Sequence, residues 1–149
     1  MIIKAKLSDA KQIQKLTKHF SDKGEMLPRS LIQIYENIRD FYVAKIDKQV
    51  VGVCALHITW ENLAEIRSLA VSEKFHKKGI GSELVKACLN EANELELNQI
   101  FVLTYKPDFF KKFGFSIIEK SKLPHKVWQD CLNCHKFPDC NEIAMRLIL

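Results

Sequence analysis

Glu65 and Arg67 stand two residues apart in an otherwise apolar run, Leu63-Ala64-Glu65-Ile66-Arg67-Ser68-Leu69-Ala70-Val71. Alternation along a strand puts both on one face where no bulge intervenes. A carboxylate in a largely buried strand is costly unless it is paired or used. It can be an ion pair with Arg67, or a general base that removes a proton from a nucleophile. Just downstream, His76-Lys77-Lys78-Gly79-Ile80-Gly81-Ser82 gathers lysines, glycines and the start of a helix at one point. Backbone N–H groups at such a turn favour a phosphate. An anionic cofactor beside a candidate base points to group transfer rather than scaffolding.

The elements that must position these groups read as one compact α/β domain over residues 1–149, with no internal repeat or linker. Ser8 is placed to cap a helix whose stripe is Ala10, Ile13, Leu16 and Phe20. Pro28 suits the first turn of a second helix carrying Leu31, Ile34, Tyr35 and Ile38. Two β-rich runs, Phe41 to Ile46 and Gln49 to Thr59, read as a hairpin around Asp47-Lys48, with Asn62 to Val71 as a third antiparallel strand. After the glycine turn, Ile80, Leu84, Val85, Cys88, Leu89 and Ala92 define one helix face. Ile100 to Thr104 is a short apolar run suited to a buried strand. A short helix over Phe109 to Phe113 ends at Gly114, and Phe115 to Ile118 with Ile143 to Leu149 make a last strand pair. The expected sheet is mixed and largely antiparallel, flanked by helices.

Composition narrows the class. A chain of 149 residues buries roughly 70% of its unfolded surface without help from disulfides. The net charge of +5 suits a polyanionic small ligand, and no nucleic-acid module is recognisable. Met1 to Leu7 alternates like a strand rather than a signal peptide, and no apolar run approaches the ~20 residues of a membrane span. Five cysteines cannot all pair within one chain, which fits a reducing compartment. The expectation is a cytoplasmic protein acting on small molecules, without nucleic-acid or membrane partners, with a homodimer as the candidate assembly.

Two familiar phosphate motifs fail at the turn. The Walker pattern has no match, and the dinucleotide fingerprint would need a third glycine where Leu84 stands. What remains is a Gly-x-Gly opening a helix, which by itself also fits a tight turn with solvated lysines. With the preceding strand and the later Phe109-Phe110-Lys111-Lys112-Phe113-Gly114-Phe115 segment, the arrangement resembles the GNAT acetyltransferase superfamily. The likeness runs from Ile2 to Phe115, with His76 where the superfamily's cofactor motif opens on Gln or Arg.

That resemblance implies a GNAT-like acyl-CoA N-acyltransferase fold with acetyl-CoA as cosubstrate. It implies that backbone N–H groups of Lys77, Lys78, Gly79, Ile80, Gly81 and Ser82 hold the pyrophosphate. Leu69, Ala70 and Val71 would lie along the pantetheine arm, where a bulge near Ser68 splays the sheet. Thr104 and Phe110 complete the implied coenzyme set. Glu65 falls where several members keep a general base, and the Leu69 N–H would meet the oxyanion. Phe110 stands where members carry a tyrosine that assists thiolate departure. A thiol titrates near ~8.5, so its thiolate leaves tolerably without a dedicated acid.

Leu27-Pro28-Arg29-Ser30-Leu31, Ala55 to Trp60 and Phe101 to Thr104 extend the likeness to short, stand-alone amino-acid N-acetyltransferases related to N-acetylglutamate synthase. The implied reaction acetylates the α-amino group of L-glutamate or glutamine, opening arginine synthesis. Carboxylate recognition favours guanidinium and ammonium groups, here Arg67, with Arg29 and Lys106 behind it. A peptide or protein N-acetyltransferase, or a non-catalytic acyl-CoA-binding or metal-sensing module, are the alternatives.

The segment 121–142 is cysteine-rich: Cys131, Cys134 and Cys140, with His135 adjacent and His125 upstream. Three thiols and a histidine can close a structural zinc site. Reduced thiols packing a lid, or a labile disulfide, fit the same spacing.

Overall fold

The computed structural model describes residues 1–123 and 142–149. Cys131, Cys134, His135, Cys140 and His125 lie outside the described residues. In chain order the elements are β1 (Ile2–Lys4), α1 (Ala10–Asp22), α2 (Leu31–Glu36), β2 (Phe41–Ile46), β3 (Gln49–Trp60), β4 (Leu63–Val71), α3 (Ile80–Glu94), β5 (Gln99–Thr104), α4 (Pro107–Lys111), β6 (Ser116–Ile117) and β7 (Ile143–Ile148). The fold is mixed α/β, its seven strands in the order β1-β2-β3-β4-β5-β7-β6 and largely antiparallel. Two compact units divide the chain: Met1–Leu56 with Ile66–Glu91, and His57–Glu65 with Ala92–Leu149. Among the described residues no helix is long and apolar enough to cross a membrane.

In the first unit, β1 pairs with β2 and β2 with β3. The β2–β3 turn closes on Ile46 opposite Gln49, with Asp47 at φ 52° and Lys48 at φ 67°. Two consecutive left-handed residues make the turn whose twist matches a hairpin, so the loop works without glycine. The register slips between Ala44 and Lys45, and there the Val50 N–H donates to Gln12 Oε1 at 2.9 Å. The core joins Ala10, Ile13 and Phe20 of α1 to Ile34, Phe41, Val43, Val53 and Ala70.

Two expected helix starts are moved by better caps. Ser8 lies inside a 3-10 turn, Leu7–Asp9, and the Asp9 carboxylate instead accepts the Lys6 N–H at 2.8 Å. Asp9 is buried; desolvation alone would raise its pKa, but Lys45 Nζ at 2.7 Å and the Lys6 N–H outweigh that and lower it. Pro28 precedes α2, which Ser30 caps: Ser30 Oγ accepts the Gln33 N–H at 3.1 Å, and Gln33 Oε1 accepts the Ser30 N–H at 2.8 Å. This reciprocal pair satisfies two donors at once. On α1, Thr17 is buried and Leu16 only half so; the Thr17 hydroxyl donates to the Ile13 carbonyl at 3.0 Å.

In the second unit, β5 pairs with β7 from Gln99 opposite Ile148 to Thr104 opposite Ile143, and β6 adds Ser116 and Ile117 beyond β7. Phe101, Leu123 and Ala144 centre its core, with Leu63, Leu103 and Ile118 packed around them. Helix α4 begins two residues earlier than its apolar pattern suggests, because Pro107 occupies the first turn and presets the helical φ. Gly114 at φ 97° ends the segment as expected.

Candidate active site

Strand β4 changes character at Ser68, whose φ is 58°. A left-handed residue breaks the pleat and redirects the strand, as in one class of β-bulge. The break follows Arg67, so the alternation through Glu65 and Arg67 precedes it. Beyond it Ala70 is buried, while Leu69 and Val71 are half-buried.

The strand end, the basic turn and the start of α3 form one continuous piece of the first unit. The Ser72 N–H donates to the Val51 carbonyl at 2.8 Å. A 3-10 turn, Glu73–Phe75, leads to His76, followed by left-handed Lys77 (φ 64°) and Gly79 (φ 78°). A Cβ on Gly79 would meet nothing within 4 Å, so the backbone there faces open space. The Glu83 N–H donates to the Gly79 carbonyl at 3.0 Å, the first bond of the α3 ladder. Helical geometry therefore leaves the N–H groups of Ile80, Gly81 and Ser82 without intrahelical acceptors, at the positive end of a 15-residue helix. Lys77 and Lys78 are exposed beside them, Lys78 Nζ lying 5.7 Å from the Phe75 ring centroid. The fit to a pyrophosphate is good: donors, positive charge and space converge.

The seat of this helix start is Gly52 on β3. A Cβ there would lie 3.0 Å from Leu84 Cδ1 and 3.1 Å from Ile80 Cγ2. The front of the turn is tied to α1: Glu73 Oε1 meets His19 Nε2 at 2.6 Å and Lys23 Nζ at 2.9 Å. Those two hydrogen bonds, His19 first, hold the Glu73 carboxyl down to about 2.

Of the remaining candidates, Glu65, Thr104, Lys106 and Phe110 stand in the second unit. Glu65 on β4 is only 6% exposed. Thr104, at the end of β5, is buried, and its Oγ1 accepts the Lys106 N–H at 2.8 Å. Phe110 of α4 is buried edge-to-face against Phe109 (5.1 Å) and Phe115 (5.5 Å). Its ring carries no ionisable group, and Tyr105 stands exposed directly after β5. Lys106 is exposed ahead of α4. Arg29 and Arg67, both in the first unit, are half-buried.

Residue types and spacing mark Glu65 and the glycine turn, and the resemblance implies the bulge near Ser68. They carried no signal for Gly52 as the seat of α3, nor for the ties from Glu73 and His76. Gly52 and Glu73 depend on partners distant in sequence, and His76 does so through Phe20.

A strand that turns left-handed at Ser68 and feeds a basic helix start, within a largely antiparallel sheet, makes a place for an anionic cofactor. Residues 8–115 match the acetyltransferase (GNAT) family. The chain belongs to that family and is an N-acetyltransferase. It is 48% identical over 141 residues to an uncharacterized N-acetyltransferase of Chlorobaculum tepidum, across 95% of this chain and 91% of the other. An amino-acid acetyltransferase of Mycobacterium tuberculosis is 34% identical across 87% of this chain and 76% of its own. A Mycobacterium tuberculosis protein in complex with CoA and NLQ matches the fold with a TM-score of 0.85 at 30% identity, over 100% of this chain and 99% of that one.

Proposed function

We propose that the chain, as a single domain over residues 1–149, transfers the acetyl group of acetyl-CoA to the α-amino group of L-glutamate or L-glutamine. The observation that carries this is Glu65: a buried carboxylate on the strand that breaks at Ser68 and runs into the basic turn. The similarity to an amino-acid acetyltransferase supports an amino acid as acceptor. The structural relative solved with CoA supports the donor.

On this reading, the N–H groups from Lys77 to Ser82 bind the pyrophosphate, and Leu69, Ala70 and Val71 lie along the pantetheine arm, with Thr104 and Phe110 completing the coenzyme site. Glu65 accepts a proton from the substrate ammonium, leaving the amine lone pair to attack the thioester carbon. The Leu69 N–H meets the carbonyl oxygen as negative charge develops on it. The C–S bond then breaks, its electron pair leaves on the CoA sulfur, and the nitrogen releases its second proton to solvent to give the amide. Phe110 supplies no proton, so the thiolate departs as such. Arg67, supported by Arg29 and Lys106, pairs with the substrate carboxylates. Acting in the cytoplasm, the enzyme would open arginine synthesis. Cys131, Cys134, Cys140 and His135 lie outside the described residues, and metal analysis of the purified protein decides between structural zinc, reduced thiols and a labile disulfide.

The test of the reaction is thiol release from acetyl-CoA with a panel of amino acids and peptides. Turnover is expected with glutamate or glutamine and lost in Glu65→Gln. Turnover confined to peptide acceptors would sink the amino-acid reading, and CoA binding without turnover on any acceptor would sink catalysis.

A further inference from the structure

His76 Nε2 lies 2.6 Å from the carbonyl oxygen of Val71, the last residue of β4. A carbonyl can only accept, so Nε2 carries the proton and donates it to Val71. The same ring is stacked on Phe20, with centroids 6.3 Å apart and planes inclined by 19°. Phe20 is itself a buried member of the first unit's core, so the imidazole rests on a fixed surface. His19, the neighbouring residue on α1, holds Glu73 at the front of the same turn.

We infer that His76 is a positioning residue for the coenzyme-binding turn, a clasp between the end of β4 and the core rather than a ligand of phosphate. The inference rests on the reading of the turn as the CoA site. Its physical basis is the backbone that follows. Lys77 adopts a left-handed conformation that a residue with a Cβ resists. The turn therefore needs an anchor immediately before it. His76 supplies one by committing its Nε2 proton to the Val71 carbonyl, so that nitrogen is not available to an anion. Anchoring in advance lowers the ordering cost that the coenzyme would otherwise bear on binding.

Three variants separate the parts of the clasp. His76→Gln keeps an N–H donor for the Val71 carbonyl. His76→Phe keeps the stacking and removes the donor. His76→Ala removes both. CoA affinity by calorimetry, steady-state kinetics, and trypsin cleavage after Lys77 and Lys78 without coenzyme are the readouts. Loss of the clasp is expected to weaken CoA about fivefold to tenfold, the worth of one hydrogen bond. The KM for acetyl-CoA should rise alike, with little change in kcat. His76→Ala and His76→Phe should both be cleaved faster, and His76→Gln should restore affinity and resistance. His76→Ala with wild-type affinity and wild-type cleavage overturns the inference. Wild-type protein that fails to bind CoA overturns the coenzyme reading beneath it, and is told apart because the proteolysis comparison contains no coenzyme.

Discussion

Gly52 on β3 and Leu84 on α3 meet so closely that one added carbon would sit 3.0 Å from the leucine Cδ1. The constraint is steric: a side chain at this position would press on the helix start whose first N–H groups lack intrahelical acceptors. Gly52→Val is expected to cost ~1–3 kcal/mol by overpacking, with Gly52→Ala milder because Leu84 and Ile80 can each yield a little. Denaturant midpoints check the stability, and CoA titration of the folded variants should show weaker binding. Gly52→Val with unchanged CoA affinity would separate the seat of α3 from the site.

At Gly79 the constraint is conformational instead, since φ is 78° and the space around it is open. Gly79→Ala should cost ~1–2 kcal/mol, or move the turn to avoid that cost. Lys77 already bears this strain at φ 64°. Lys77→Gly should therefore raise the thermal midpoint while weakening CoA through loss of its charge. A Lys77→Gly protein of lower midpoint would contradict the account.

Glu65→Gln preserves shape and removes the base. A fall in kcat of ~10²–10⁴-fold with near-native stability is expected if Glu65 takes the proton. Arg67→Ala should raise the amino-acid KM by roughly ten- to a hundredfold, the worth of a charged hydrogen bond, without altering the KM for acetyl-CoA. Arg67→Lys should recover only part, because an ammonium lacks the planar fork. Equal effects on both Michaelis constants would point to a structural role for Arg67.

The Glu73 carboxyl is held at about 2, against an ordinary value of 4.5, by hydrogen bonds from His19 and then Lys23. A depressed carboxylate stabilises the folded state fully above its unfolded pKa, and that contribution disappears as pH falls through the folded value. The difference in thermal midpoint between wild type and Glu73→Gln should thus be constant above pH 5 and shrink between 4.5 and about 2. Because the group is exposed, the difference should also be small and salt-sensitive. A difference that grows on acidification would contradict the assignment.

Cys88 Sγ lies 3.7 Å from Cys54 Sγ, and both residues are fully buried. The hydrogen bond from Cys88, together with burial, raises the Cys54 pKa well above the usual thiol range. Iodoacetamide at neutral pH should leave both unmodified in folded protein and label both in urea, as read by peptide mass mapping. Labelling of Cys54 in the native state would refute the packing described.

Much of the architecture was legible because hydrophobic period and turn chemistry are local. The strand from Leu63 to Val71, the helix face from Ile80 to Ala92, and the left-handed Gly114 all reappear where their patterns placed them. Local reasoning failed where two plausible signals competed within a few residues. Ser30 displaced Pro28 as the helix start because a side chain that satisfies N–H groups outweighs one that merely lacks a donor.

The sequence by itself determined which chemistry was available: a carboxylate and a guanidinium on one strand, then a basic glycine turn opening a helix. Residue type and spacing along the chain suffice for that. Only the tertiary structure decided how the turn is held. Gly52 meets Leu84, His76 reaches Val71 and Phe20, and Glu73 reaches His19 and Lys23. Most of these contacts join segments far apart in sequence. Their distances follow from packing of the core around Phe20 and Val53, which no spacing along the chain records.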